Sequence, residues 1–170
     1  NAGILTTDFT PATGTIGEAG QIGATTGGVN FTATPSFSDF GEDIDNCPKN
    51  MKDLKRLDSW EAKMTGTFVN ADTKIAKSLC GAADVGTSDG KVTPRNDLLD
   101  ADFADIWLVG DYSDKNGDKN GGFIAIHLMN ALSTGGFQLK TSDKAKGQFA
   151  FEYTAHYSMA AQNTVPFEIY

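Results

Sequence analysis

The side chains that most often carry out catalysis are few in this sequence and stand apart from one another. The two histidines, His127 and His156, fall in apolar stretches, and neither has the spacing of a metal site or of a Ser/His/Asp triad. No phosphate-binding glycine loop or nucleophile elbow accompanies them. We therefore expect no enzymatic activity, no cofactor and no catalytic or metal-binding residue.

Two polar stretches resemble cation sites on first inspection. One contains four aspartates, namely Asp97, Asp100, Asp102 and Asp105. It lacks the glycine and the bidentate glutamate of a calcium loop, which favours a solvated turn. The other stretch spans residues 113–122. Its best register begins at Asn116 and places His127 where a calcium loop needs glutamate, so we expect a hairpin turn there.

Composition limits the class of protein further. The 170 residues are 39% apolar, which suits a single domain over residues 1–170, and no run approaches the length of a membrane span. Residues 1–10 lack the pattern of a signal peptide. The net charge of −8 argues against a nucleic-acid binder, but not against a surface that nucleic acid slides past. Cys47 and Cys80 are expected to be free thiols, with a bridge between them as the alternative.

Two segments have the period of two that is typical of a strand with one buried and one wet face. Their apolar residues are Val29, Phe31 and Ala33 on the first and Trp60, Ala62, Met64 and Phe68 on the second. Their polar residues are Asn30, Thr32, Thr34, Ser36 and Ser38 on the first and Glu61, Lys63, Thr65 and Thr67 on the second. A short helix should follow, capped by Asn70 or Asp72 and stopped at Gly81.

The segment between these strands, residues 41–56, is charged and has no apolar period. Ordering its sixteen residues would cost about 16–32 kcal/mol, whereas each buried apolar side chain returns only about 1.5–3 kcal/mol. Only Ile44, Met51 and Leu54 are available for that purpose. We expect the loop to dock on its own domain or on another chain, or to stay mobile. Its charges are divided into an acidic set, Glu42, Asp43 and Asp45, and a basic set, Lys49, Lys52, Lys55 and Arg56.

Residues 1–23 form a glycine-rich segment. Ile4, Leu5 and Phe9 could make one short strand, but the density of glycine predicts either a floppy terminus or, as we favour, an arm that orders only against a neighbouring subunit.

Further strands are expected later in the chain. Residues 82–94 look turn-rich. Residues 106–112 should form a central strand, because Trp107 and Val109 on one face and Ile106 and Leu108 on the other are all apolar. Strands are also predicted at 123–132, 137–141, 148–159 and 165–170. Eight or so strands with one short helix indicate a mainly β protein, a β-sandwich or partly closed β-barrel.

Several stretches together resemble the major tail tube proteins of bacteriophages with long non-contractile tails, a family related to other phage tail tube and type VI secretion tube proteins. The stretches are TGGVNF at 26–31, KDLKR at 52–56, SLCGAA at 78–83, GFIAI at 122–126 and GQFAFE at 147–152. The resemblance covers most of the chain.

The resemblance implies a structural virion protein that forms hexameric rings. Such rings stack into a tail tube through which the DNA genome passes on ejection. A tape-measure protein occupies the lumen before that, and terminator and distal tail proteins close the ends. The protein would be made and assembled in the bacterial host cytoplasm and would contact no membrane.

On this interpretation we expect the wet strand faces to line the lumen, with Asn30, Thr32, Thr34, Ser36, Glu61, Lys63, Thr65 and Thr67. Alternation adds Gln148, Glu152, Thr154 and His156, although that face would equally suit the outside of a tube. The divided charges of the long loop predict contacts between rings through Glu42, Asp43, Asp45, Lys52, Lys55 and Arg56. The alternative is a soluble monomeric β-sandwich that binds a ligand, such as a carbohydrate or adhesion module.

Overall fold

β-strands account for most of the regular structure. The computed structural model describes residues 3–111, 122–141, 143 and 145–170. Within them the strands are β1 Gly3–Thr6, β2 Phe9–Thr10, β3 Thr15–Ile16, β4 Gln21–Gly23, β5 Thr25–Asp39, β6 Lys55–Phe68, β7 Ala83–Val85, β8 Val92–Pro94, β9 Ala104–Asp111, β10 Phe123–Ser133, β11 Gln138–Lys140, β12 Gln148–Thr154 and β13 Phe167–Ile169. The α-helix of the described residues is α1, Thr73–Cys80, and short 3₁₀ turns span Glu18–Gly20, Asp100–Asp102 and Met159–Ala161.

Nine strands form one antiparallel sheet in the order β4-β1-β9-β10-β12-β6-β5, with β11 beside β12 and β13 beside β10. Strand β10 belongs to both halves of this sheet, because its first part pairs with β9 and β13 and its last two residues pair with β12. Between them Asn130 has a φ of 47° and interrupts the register. Its N–H donates to Asp105 at 3.0 Å, which fixes the bend. The sheet thus folds into two layers, and the predicted mainly β, sandwich-type fold is confirmed.

The main core lies between these layers. The first layer is β4, β1, β9, β10 and β13, and the second is β12, β6 and β5. Buried side chains from both layers and from α1 meet there: Leu5, Ala62, Met64, Phe68, Ile75, Leu79, Ile106, Leu128, Ala131, Phe151, Tyr153 and Ala155. Tyr153 keeps its hydroxyl 2.7 Å from that of Ser78, and burial raises the pKa of its phenol. The buried polar group is therefore hydrogen-bonded.

A smaller cluster covers the outer face of the first layer. It contains Phe9, Trp107, Val109 and Ala125, and Phe9 packs edge-on against Phe123 with ring centroids 5.1 Å apart. Because β9 is apolar on both faces it lies between β1 and β10, as its sequence predicts.

Helix α1 begins and ends where its capping residues predict. The Asp72 carboxylate accepts the N–H of Ile75 at 2.8 Å, and Gly81 takes up a φ of 78° after the last turn. Ile75 and Leu79 are its buried residues. Asn70, the other proposed cap, instead accepts the N–H of Ala24 at 2.8 Å and so ties the helix entrance to the start of β5.

The prediction of a separate arm over residues 1–23 is wrong for residues 3–23. Strand β1 lies between β4 and β9, and Leu5 is only 1% exposed. The β2–β3 hairpin places Phe9 in the outer cluster. These glycine-rich residues therefore order within their own chain, because apolar side chains anchor them at short intervals.

Three other predictions are corrected. The predicted turn-rich segment 82–94 contains the β7–β8 hairpin. Strand β12 ends at Thr154, and Met159 is 90% exposed although it continues the apolar alternation. The acidic segment is not simply a solvated turn, because the buried Asp102 carboxylate accepts from Arg95 at 2.6 Å. The Leu99 N–H and this guanidinium hold the pKa of Asp102 below its usual value.

Both cysteines are free thiols. The predicted hairpin turn at 113–122 lies outside the described residues except for Gly122. None of the helices in the described part of the chain is long and apolar enough to cross a membrane.

Candidate assembly surface

The polar residues of β5 and β6 lie opposite one another. The register pairs Asn30 with Thr65, Thr32 with Lys63, Thr34 with Glu61 and Ser36 with Ser59. Directly opposed residues of an antiparallel pair project to the same side, so these side chains form one surface. All those of β5 are exposed, and their apolar neighbours turn the other way toward the core.

Strand β12 widens this surface to three strands. Glu152 lies opposite Thr65, Thr154 opposite Lys63 and Ala150 opposite Thr67. We call the polar face the set Asn30, Thr32, Thr34, Ser36, Glu61, Lys63, Thr65, Thr67, Glu152 and Thr154. Gln148 continues its alternation and is exposed. His156 does not join it, because β12 ends before it and its Nδ1 lies 3.2 Å from the Asn130 carbonyl oxygen.

The one basic residue of the polar face is flanked by acids. Lys63 Nζ lies 2.7 Å from Glu61 Oε1 and 3.9 Å from Glu152 Oε1. The hydrogen bond to Glu61, with the charge of Glu152, raises the pKa of Lys63 and keeps it charged. Thr134 completes this arrangement, because its hydroxyl donates to Glu152 at 2.9 Å and lies 2.7 Å from that of Thr154.

Sequence reasoning did not identify Thr134 as part of this face. It stands in the TGG stretch after β10, which indicates a turn and carries no sign that it returns to β12. The backbone reveals this contact, since the Thr134 N–H donates to the Glu152 carbonyl at 2.9 Å.

Strand β5 stands at the end of the sheet order, with one side free of strand partners in the described residues. The Ala155 N–H donates to the Ala62 carbonyl at 2.9 Å. Backbone N–H and carbonyl groups alternate in direction along a strand, so in this part of β6 those of even-numbered residues point toward β12 and those of odd-numbered residues point toward β5. It follows from the register that Val29, Phe31 and Ala33 direct their N–H and carbonyl groups away from β6. We call these groups the free edge.

Pro35 comes next in this series and has no N–H. The free edge is therefore able to bind another strand along residues 29–33 and loses a donor beyond them.

The long loop is shorter than predicted. Strand β6 begins at Lys55, so Lys55 and Arg56 are strand residues and not loop residues. The other residues predicted to contact a neighbouring ring are exposed and lie in the loop: Glu42, Asp43, Asp45 and Lys52. Among the described residues the acidic and basic sets form no ion pair with each other; the partner of Arg56 is Asp58, at 3.9 Å.

Asp39 holds the loop at its base. Its carboxylate accepts the N–H of Gly41 and that of Asn50, each at 2.9 Å. These bonds, that of Asn50 first, lower the pKa of Asp39. Among the described residues no three His, Cys, Asp or Glu side chains are grouped so that they could hold a metal ion.

No protein-family model and no curated protein matches the chain. The chain is similar to a chain from a solved structure described as "Virion of native gene transfer agent (GTA) particle". That alignment covers 92% of each chain with 10% sequence identity and a TM-score of 0.46.

Proposed function

We propose that the protein is a structural virion protein of the tail tube type, in which six copies form a ring and rings stack into a tube that DNA traverses on ejection. The observation that carries this proposal is the free edge of β5 beside the polar face. An exposed edge strand is a template for pairing with another chain, and closing a ring of subunits covers every such edge.

The chemistry of the polar face suits the lining of a DNA channel. It consists of hydroxyl and amide groups with one lysine whose charge is balanced by Glu61 and Glu152. Phosphate backbones bind to uncompensated basic side chains, so a surface of this kind lets DNA move without retention. In this proposal a tape-measure protein occupies the lumen first, and terminator and distal tail proteins bind at the tube ends.

Negative-stain electron microscopy of the purified protein tests this function. Rings or tubes with an open lumen are the expected result. Single small particles at every concentration would instead favour the monomeric ligand-binding module.

The orientation of the polar face is tested on assembled tubes. Cys47 and Cys80 are first replaced by serine, and Thr32→Cys and Glu152→Cys are then introduced separately. A maleimide reagent too large to enter the lumen should spare both positions in intact tubes and label both in dissociated subunits. Ready labelling at 152 in intact tubes would place that part of the face outside.

A further inference from the structure

His127 lies on the outer face of the first layer, on the middle one of three paired strands. The register places it directly opposite Trp107 on β9 and directly opposite Glu168 on β13. Its imidazole stacks on the Trp107 indole, with ring centroids 3.9 Å apart and ring planes within 3° of parallel. Only 13% of the His127 side chain is exposed, so its ring nitrogens depend on protein groups for their hydrogen bonds.

The two ring nitrogens of His127 have unequal surroundings. Nε2 lies 3.2 Å from Oδ2 of Asp105, whose other carboxylate oxygen accepts the N–H of Asn130. An ionised carboxylate can only accept hydrogen bonds, so this contact assigns the proton of a neutral His127 to Nε2. Nδ1 is then a bare acceptor. It is buried and has no hydrogen-bond partner among the described residues.

A second carboxylate faces this bare nitrogen. Oε2 of Glu168 lies 3.8 Å from Nδ1 and accepts the hydroxyl of Tyr170 at 2.6 Å. With His127 neutral, two acceptors therefore face each other with no proton between them. With His127 protonated, Nδ1–H faces a carboxylate, and the cation lies between two carboxylates and against the face of Trp107.

Strand β13 is the element that this contact fastens. Its three residues have β10 as their only strand partner in the described residues, and Ile169 is 59% exposed. Its apolar anchor is Phe167, whose ring centroid lies 5.6 Å from that of Phe31 and from that of Trp60. A short strand at the edge of a sheet, with one large anchor, is a segment that opens locally before the rest of a domain unfolds.

Opening of β13 would uncover apolar surface on both layers. Phe31 and Trp60 would lose the ring of Phe167, and residues 126–128 of β10 would become an unpaired strand edge. Whatever holds β13 in place therefore controls whether this part of the main core is covered.

We infer that His127 is a pH-sensitive latch on β13, in which the imidazolium fastens the strand through Nδ1–H to Glu168 and the neutral imidazole releases it. Histidine side chains change their charge between about pH 5 and 8. The strand should therefore be held firmly at the acid end of this range and should open more often at the alkaline end. The inference concerns the fold of one chain and does not depend on the proposed tube.

The groups around His127 do not themselves supply this pH dependence. Among the described residues the charged side chains that face it are Asp105 on β9 and Glu168 on β13, and carboxylates ordinarily ionise below this range. The hydrogen bond to Glu168 raises the pKa of Tyr170, so its phenol stays protonated up to about pH 8. Trp107 does not titrate.

Hydrogen–deuterium exchange measured by mass spectrometry tests the latch in the intact chain. Exchange of the peptide covering residues 163–170 is compared at about pH 5.5 and about pH 8, after correction for the intrinsic pH dependence of amide exchange. The opening constant of β13 should be at least about tenfold larger at the higher pH, because the neutral form leaves a buried acceptor unpaired. The peptide that contains β9 is the internal reference and should be equally protected at both.

Three variants assign the effect to its residues. His127→Gln keeps a polar side chain that cannot titrate and should abolish the difference between the two pH values. Glu168→Gln removes the charge that faces Nδ1 and should reduce the difference to less than about twofold. His156→Gln is the matched control, because it removes the other histidine, whose Nδ1 lies 3.2 Å from the Asn130 carbonyl oxygen, and it should keep the wild-type difference. Circular dichroism melts establish that each variant is folded.

Nitrogen-15 spectra of the histidine rings give a second measurement that requires no change at His127 or Glu168. They should show the neutral His127 ring protonated on Nε2 and the acid form protonated on both nitrogens. A neutral ring protonated on Nδ1 would overturn the inference, because that nitrogen would already have a donor to offer Glu168.

The exchange data have equally definite contrary outcomes. Equal opening of β13 at the two pH values in the wild type, or more opening at the lower one, would overturn the latch. A full pH difference that persists in His127→Gln or in Glu168→Gln would overturn it as well. A wild-type difference that disappears in both of these variants and survives in His156→Gln supports it.

Discussion

Residues 3–23 and residues 40–54 are both short of regular apolar patterning, yet they have different environments. The first segment contributes β1, which lies between β4 and β9 in the first layer, and it contributes Phe9 to the outer cluster. The second leaves Phe40, Ile44 and Met51 exposed and is held at its base by Asp39. Both are rich in turn-forming residues, so composition does not separate them.

The difference lies in backbone partners. Strand β1 uses its N–H and carbonyl groups with β4 on one side and β9 on the other, and it buries Leu5 and Thr6 completely or nearly so. The loop has turn bonds such as Phe40 N–H to the Leu54 carbonyl at 3.0 Å but no strand beside it in the described residues. A few apolar residues order a segment when a neighbouring strand also satisfies its backbone.

Deleting residues 1–23 should have the largest effect. The truncated chain loses β1 and β4, two of the five strands of the first layer, together with the buried Leu5, and is expected to lose cooperative thermal unfolding, measured by circular dichroism and calorimetry. Replacing residues 42–52 by a short glycine-containing turn is the matched change and should leave a cooperative transition. A truncated chain that still unfolds cooperatively would return the segment to the role of a separate arm.

Single substitutions should repeat this contrast on a smaller scale. Leu5→Ala empties a buried site and is expected to reduce the free energy of unfolding by about 2–5 kcal/mol. Ile44→Ala in the loop should change it by less than about 0.5 kcal/mol in the monomer. Urea titrations of both variants measure the change in the free energy of unfolding. Equal losses would mean that the loop is packed in solution.

Reversing Lys52, Lys55 and Arg56 to glutamate should leave the monomer folded and block polymerisation. Exposed ion pairs contribute under about 1 kcal/mol each, but in the proposed tube several of them repeated around each ring would set the register between rings. Assembly followed by turbidity should also weaken with salt in the wild type. Reversing Glu42, Asp43 and Asp45 as well should restore assembly. Normal polymerisation of the triple variant at all salt concentrations contradicts an inter-ring role for the loop.

The smallest effect is expected at the base of the loop. Hydrogen bonds lower the pKa of Asp39 in the folded chain below its unfolded value of about 3.9. Their contribution to the stability of the folded chain is therefore present above the unfolded pKa and is lost as the pH falls through the lower folded pKa. The amide resonances of Gly41 and Asn50 should therefore titrate together below about pH 3.9. Asp39→Asn should abolish this titration, and Asp45→Asn should not alter it.

The sequence predicted the parts of the fold that local chemistry determines. The cap at Asp72, the stop at Gly81, the two apolar faces of β9 and the alternation of β5 and β6 each follow from residues close in the chain. The polar face could be predicted for the same reason.

The remaining features depend on distant residues. Nothing near Thr134 indicates its bond to Glu152. Alternation in β12 continues past Thr154, but the ladder pairing of β12 with β6 and β10 does not, so the strand ends there. Lys55 and Arg56 are strand residues because β5 is long enough to pair with them.

The pairing of β1 has a consequence for synthesis at the ribosome. Leu5 lies directly opposite Leu108 in the sheet, so strand β1 cannot pair with β9 until β9 has been synthesised. At about 5–20 residues per second that interval lasts roughly 5–20 s. The β5–β6 hairpin is complete long before, with its apolar side uncovered. Newly made chains therefore pass through a period in which this apolar surface is exposed to solvent, and slower translation would lengthen that period.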